Sequence, residues 1–290
     1  MVRPFQGVSL AVIGLVLVGA CPSAALAQDD EEAGFRAIFN GRDLTGWEGA
    51  QGLWSVEDGA ITGRTTPETR LRENSFLIWR DGLVDDFVLR LRYRIVNGNS
   101  GIQYRSEDRG RFVVGGYQAD IDSADNYSGI LYEERGRGIL ATRGQSVRID
   151  EKNERSIAGS LGDAAALQRD IKKEDWNDYE IVARGNRIEH RINGKTMVEV
   201  VDGSKEHAKR EGILALQIHV GPPMTVQFKD VRIKRLPLED EKKIVLVAGR
   251  PSHGPGDHEH NAGVELLAKC LDAQPKTRAQ TYLNGWPRDP

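Results

Sequence analysis

The strongest constraint on this chain is the strict alternation over Asp86–Ile95. Phe87, Leu89, Leu91, Tyr93 and Ile95 fall on one side of an extended chain, and Val88, Arg90, Arg92 and Arg94 on the other. Successive side chains of a strand point to opposite faces, so this segment reads as a half-buried antiparallel strand. Tyr179–Val200 reads as three further strands. Gly185-Asn186 and Asn193-Gly194 supply the positive φ angles that the tight turns between them need. Thr225–Arg235 alternates through Val226 and Phe228, then resumes one residue out of phase at Val231 and Ile233. A β-bulge at Lys229-Asp230 accounts for the slip. Helical periodicity is almost absent before residue 240, and the 32 glycines are spread without a period. Short strands punctuated in this way predict an all-β sandwich.

The ends of the chain differ from this body. Arg3, the apolar run Val8–Ala20 and the small-x-small sequence Ala25-Leu26-Ala27 read as a signal peptide over 1–27, which predicts an exported, periplasmic or extracellular protein. Val18-Gly19-Ala20-Cys21 has a competing reading as a lipobox, with Cys21 carrying a lipid anchor. An acidic linker over 28–33 leads into the body, 34–237. Residues 238–242 form a charged linker. Lys243–Ala248 is then a continuous apolar run, expected as a buried parallel strand. Asn261–Leu271 has helical spacing that places Val264, Leu267 and Leu271 on one face. The segment 243–290 thus opens an α/β unit and is too short to complete one. With Cys21 removed or lipidated, Cys270 has no partner, so the core must hold the fold without a disulfide. Forty basic and 43 acidic residues are interspersed and leave a net charge of -3. That balance gives no electrostatic reason to expect nucleic acid as a partner.

Parity also sorts the polar residues into rows. Gln118, Asp120 and Asp122 point the same way on an extended strand, as do Gln103 and Arg105, and Gln217 and His219. On the concave sheet of a sandwich such rows line a sugar-sized groove. On the outer sheet they face bulk solvent, and the sequence leaves both readings open. Asp120, Asp122 and Glu133 together could hold a calcium ion through oxygen ligands. Trp47, Trp54, Trp79 and Trp176 could stack on sugar rings or fill the core. His253, His258 and His260, with Asp257 and Glu259, read either as a metal cluster or as a polar loop.

Longer motifs carry a resemblance. They are Phe39-Asn40-Gly41-Arg42-Asp43-Leu44-Thr45-Gly46-Trp47, Trp54-Ser55-Val56-Glu57-Asp58-Gly59, Asn99-Ser100-Gly101-Ile102-Gln103-Tyr104, Gly116-Tyr117-Gln118-Ala119-Asp120, Leu216-Gln217-Ile218-His219 and Phe228-Lys229-Asp230-Val231. In order and spacing they resemble the 3-keto-disaccharide hydrolase domain family. The resemblance implies a concanavalin A-like jelly roll and cleavage of glycosides oxidised to a ketone at sugar C3. The chain departs from the family pattern at Gln118 and Asp120, where a carboxylate and an amide are usual, and at Ile218, where an acidic residue is common. Lys243–Leu271, with Pro251-Ser252-His253-Gly254, is similar to the start of a trehalose-utilisation-type domain with a glutamine-amidotransferase-like fold.

The chemistry of a 3-keto sugar needs a base for the C2 proton, an acid for the leaving oxygen and a donor facing the enolate. On that reading Asp122, His219 and Glu133 are acid/base candidates and Arg105 is the clamp. Gln103, Gln118, Asp120, Tyr132 and Gln217 are expected to touch the sugar. A carbohydrate-binding module without catalysis is the alternative, because the fold does not fix the function.

Overall fold

The alternating arginine strand becomes the centre of the larger of two facing sheets. The structure, a computed structural model, describes residues 32–69, 71–238, 242–274 and 276–286. The signal-peptide and lipid-anchor readings fall outside these residues. From Phe35 onward the described residues form one unit.

Its strands run in the order β1 (Arg36–Ala37), β2 (Trp47–Glu48), β3 (Trp54–Glu57), β4 (Ala60–Arg64), β5 (Ser75–Trp79), β6 (Phe87–Val96), β7 (Asn99–Asp108), β8 (Val114–Asp122), β9 (Leu131–Glu134), β10 (Gly138–Ala141), β11 (Gln145–Ile149) and β12 (Arg155–Ser160). A short helix, α1 (Ala164–Arg169), precedes β13 (Asn177–Arg184), β14 (Arg187–Ile192), β15 (Lys195–Asp202), β16 (Ile213–Ile218) and β17 (Thr225–Arg235). The tail adds β18 (Lys242–Val247), α2 (His260–Asp272) and β19 (Thr277–Tyr282).

One sheet has ten strands, in the order β12-β11-β15-β14-β13-β6-β17-β4-β3, with β1 also on β17. The other has seven, in the order β10-β9-β8-β7-β16-β5-β2. The predicted all-β sandwich is what forms. Phe87, Leu89, Leu91, Tyr93 and Ile95 point inward from β6 and join one core with Ile102 and Tyr104 of β7, Tyr117, Ala119 and Ile121 of β8, and Leu214 and Leu216 of β16. Each such buried side chain contributes about 1.5–3 kcal/mol, which lets the sandwich stand without a disulfide. The turns behave as their residues require, with Gly185, Asn193 and Gly194 all at positive φ. The phase slip in β17 is a bulge. Its register against β6 shifts between Lys229 and Arg232, and Asp230 takes φ 55°.

Buried inside the body, His190 sits against Tyr104, whose hydroxyl lies 2.8 Å from Nε2, while Nδ1 lies 3.2 Å from the Ile130 carbonyl. A carbonyl only accepts, so Nδ1 carries the proton and Nε2 accepts from the tyrosine. Burial pulls this histidine down to about 3, and the ring is a neutral part of the core.

In the tail, β18 and β19 pair in parallel across α2. Thr281 Oγ1 donates to Glu265 Oε1 of the helix at 2.9 Å, and the Ala279 N–H donates to Asp272 Oδ1 at 2.7 Å. The expected helix is present, but its inward residue is Ala268, and Leu267 is 48% exposed. Lys243 Nζ meets Asp85 Oδ2 at 2.9 Å, and Arg278 Nη2 meets Glu211 Oε2 at 3.4 Å, so both tail strands touch the sandwich.

Candidate active site

The polar row forms on the face of the seven-stranded sheet that points away from the core. Gln103 of β7 lies directly opposite Gln118 of β8, and Gly101 opposite Asp120. Gln103 Nε2 donates to Gln118 Oε1 at 2.7 Å, and Gln118 Nε2 donates to Asp120 Oδ1 at 2.5 Å. Ser106 Oγ donates to Gln103 Oε1 at 2.6 Å. Position 101 must be glycine for this row to lie flat, since a Cβ there would sit 2.5 Å from the Gln118 side chain. Gln217 of β16 joins more loosely. Its Oε1 is 3.5 Å from Gln118 Nε2, and its Nε2 is 3.5 Å from Glu134 Oε2. Glu134 also accepts from Asn74 Nδ2 at 3.2 Å.

Burial grades along the row. Gln103 and Gln217 are fully enclosed, and Asp120 keeps 6% exposure. Asn74, Tyr132 and Glu134 are half-buried around it, and His219 is half-buried past the end of β16. Enclosure pushes the Asp120 carboxyl up to about 8, and the nearby carboxylates of Asp122 and Glu134 push in the same direction, against hydrogen bonds from Gln118 and Asn99. Burial, then Glu134 and Asp120, raise the Tyr132 phenol, which keeps it a neutral donor at ordinary pH. The site therefore pairs a carboxyl poised near neutrality with a phenol and an ionisable Glu134. His219 lies just past β16, with Nδ1 at 2.6 Å from the Val220 carbonyl. Nδ1 therefore donates to that carbonyl, and Nε2 is the ring nitrogen left for another partner. Glu134 and Gly116 also line an adjoining cleft of about 350 Å³ bounded by Arg135, Arg137 and Lys209.

Gln103, Gln118, Asp120, Tyr132 and Gln217 thus lie together, and Arg105, Glu133 and Asp122 do not join them. Arg105 does not share a face with Gln103. A bulge between Tyr104 and Glu107, with Arg105 at φ 48°, turns its side chain into the interior. There it donates through Nη2 to Asp86 Oδ1 at 2.8 Å, through Nε to the Asp85 carbonyl at 2.7 Å and through Nη1 to the Gly185 carbonyl at 2.7 Å, with 0% side-chain exposure. Close backbone approach makes the bulge possible: a Cβ on Gly212 would overlap the Arg105 carbonyl carbon, and one on Gly116 would lie 2.5 Å from Ser106 Oγ. Glu133 has the opposite parity to Tyr132 and Glu134, and it pairs with Arg137, whose Nη2 reaches Asp202 Oδ2 at 2.6 Å. Asp122 ends β8 as a loop clasp. Its carboxylate accepts from the backbone of Asn126 at 2.9 Å and of Ser128 at 2.8 Å, and from Ser128 Oγ at 3.0 Å.

The trio Asp120, Asp122 and Glu133 therefore does not converge on one point. Among the described residues no group of three His, Cys, Asp or Glu side chains is placed to hold a metal ion. In the tail, His253 and His258 place their Nδ1 atoms 2.8 Å apart on an exposed loop. Trp47, Trp54 and Trp79 fill the core, and Trp176 lies under Lys229 at 4.1 Å. Sequence reasoning missed Glu134 and Asn74. Glu134 was within reach, because it alternates with Tyr132 on β9.

A model of the 3-keto-alpha-glucoside-1,2-lyase-like domain matches residues 34–234. The chain belongs to that family. The match covers the sandwich to within one residue of the end of β17 and every residue of the polar row, and it ends before the tail. Comparison with curated proteins gives no match. Among solved structures, a Parabacteroides distasonis protein provisionally described as a glycosyl hydrolase is 20% identical, with a TM-score of 0.47 over 72% of this chain and 97% of the other. The carbohydrate-binding module CBM66 from Bacillus subtilis is 17% identical, with a TM-score of 0.43 over 66% and 96%. A Bacillus licheniformis beta-glucanase is 12% identical, with a TM-score of 0.42 over 70% and 97%. Likenesses of this size carry no inference about chemistry.

Proposed function

We propose that this domain cleaves 3-keto-glycosides outside the cytoplasm, with Asp120 as the base that opens the reaction. The observation that carries the reading is an enclosed carboxyl at about 8 in a row of amides and a phenol, on a member of this family. The C3 ketone acidifies the C2 proton. Asp120, once ionised, takes that proton, and the electron pair moves into an enolate. A base near neutrality is suited to a weak carbon acid, because it is both available and strong at working pH. Tyr132 donates to the enolate oxygen. The enolate then expels the C1 oxygen, which takes a proton from water and leaves as the aglycone alcohol. Water adding across the resulting double bond returns a free 3-keto sugar, so the net change is hydrolysis. Gln217, fully enclosed and held by 3.5 Å contacts to Gln118 and Glu134, backs the row rather than meeting the sugar directly. No metal or organic cofactor enters this scheme.

Purified protein should release aglycone from a 3-keto disaccharide and leave the unoxidised parent intact. In deuterated water the product should carry deuterium at C2. A folded preparation inactive on a panel of 3-keto α- and β-glycosides would overturn the proposal. Sugar binding without turnover would instead make the domain a carbohydrate-binding module.

A further inference from the structure

Away from the polar row, the edge of the seven-stranded sheet and the tail enclose a concavity of about 640 Å³. Trp47 and Trp79 lie directly opposite each other on β2 and β5 and border it, with their indoles buried in the core. Trp286 forms a wall, and its indole is 73% exposed. An exposed tryptophan forgoes the burial that normally dominates its placement, and this one follows an ordered turn. Asn284 at φ 65° and Gly285 at φ 129° make the turn that presents it. The Gly285 N–H donates to the Ala248 carbonyl at 2.8 Å, and Asn261 Nδ2 donates to Asn284 Oδ1 at 3.0 Å.

The polar lining is equally fixed. Arg80 donates through Nε to Glu48 Oε2 at 2.7 Å and through Nη1 to Asp108 Oδ2 at 2.6 Å, so its guanidinium plane is set before anything binds. Asp81 lies back against Gly46, where a Cβ would overlap Oδ2. The cleft thus offers a flat apolar platform beside ordered charges of both signs, in a volume typical of small-molecule sites. A purely apolar ligand would strip water from Glu48, Arg80 and Asp81 without replacing it. An ion of either sign would meet its like. A pyranose fits both halves, with an apolar C–H face for the indole and a rim of hydroxyls that donate to carboxylates and accept from the guanidinium.

We propose that this cleft is a carbohydrate site separate from the polar row, taking one or two pyranose units of a neutral, unoxidised glycan with Trp286 as the stacking platform. Its chemistry needs no ketone, so it does not depend on the reaction proposed above. Because one wall belongs to the tail, the site exists only while the tail is docked on the sandwich.

Calorimetric titration of the purified protein with maltotriose, cellotriose and laminaritriose tests this. At least one trisaccharide should bind. Trp286→Ala should weaken that binding about tenfold or more, Trp286→Phe should retain most of it, and Asp120→Asn should bind as the parent does. Trp286 is exposed, so its loss should leave the melting temperature unchanged, and Asp81→Asn provides an independent loss of affinity. Absence of binding by all three sugars to folded protein overturns the proposal. So does binding that survives Trp286→Ala, and so does binding abolished by Asp120→Asn, which would assign the sugar to the polar row.

Discussion

Replacing Asp120 by asparagine should make the protein inactive and, above neutral pH, more stable. Folded Asp120 holds its proton up to about pH 8, whereas the unfolded chain releases it near 3.8. Between those values the unfolded state binds fewer protons, so stability falls as pH rises. At about 1.4 kcal/mol per unit the whole interval has a ceiling of about 6 kcal/mol. His190 works in the opposite direction. Its folded value is about 3 against 6.5 when free, so stability is lost as pH falls through that window. The two slopes oppose each other from about pH 4 to 6.5, and of the two only Asp120 still titrates above that. Wild-type stability should therefore be nearly level over the lower window and drop by about 2 kcal/mol between pH 6.5 and 8. Asparagine keeps an Oδ1 to accept from Gln118 and has no charge to bury. Urea denaturation of Asp120→Asn across this range should show no such drop, and initial-rate assays on a 3-keto glycoside should show turnover reduced to background. A variant with the same alkaline loss as wild type would refute the placement of this proton on Asp120. Retained turnover would refute its role as the base.

Three further changes test the surrounding geometry. Glu134→Gln removes a negative charge that holds Asp120 up, so the pH at which the rate rises should move down by about half a unit to one unit; an upward shift would contradict the arrangement. Arg105→Met strands Asp86 inside the protein and should cost about 3–5 kcal/mol, read as a fall in melting temperature of about 10 °C or more. A variant that melts like wild type but loses turnover would restore Arg105 to the reaction. Asp122→Ala unties the loop it clasps and should cost about 1–3 kcal/mol, with faster hydrogen exchange over residues 123–128 and turnover within severalfold of wild type. A complete loss of turnover in folded Asp122→Ala would instead support its candidacy as the base.

Parity made much of this fold legible, and the two bulges show where it stops. In β17 the apolar phase is visible on both sides of the slip, at Val226 and Phe228 and again at Val231 and Ile233, so the alternation by itself locates the extra residue at Lys229-Asp230. In β7 the phase is visible on one side only. Ile102 and Tyr104 point inward, but Ser106, Glu107 and Asp108 follow with no apolar residue to reveal the change. Arg105 therefore reads as a neighbour of Gln103, while the bulge sends it to Asp86. The residues that permit the bulge, Gly116 and Gly212, lie on other segments, and their role is close approach rather than pattern. β9 is a different case, since Tyr132 and Glu133 cannot share a face of one strand and the parity rule alone selects Glu134. What no local pattern contains is the poise of Asp120. That depends on Gln118 beside it, on Glu134 from another strand and on enclosure by the assembled sheet, so the same residue that reads as one polar position among several becomes the titrating centre of the site only when the strands come together.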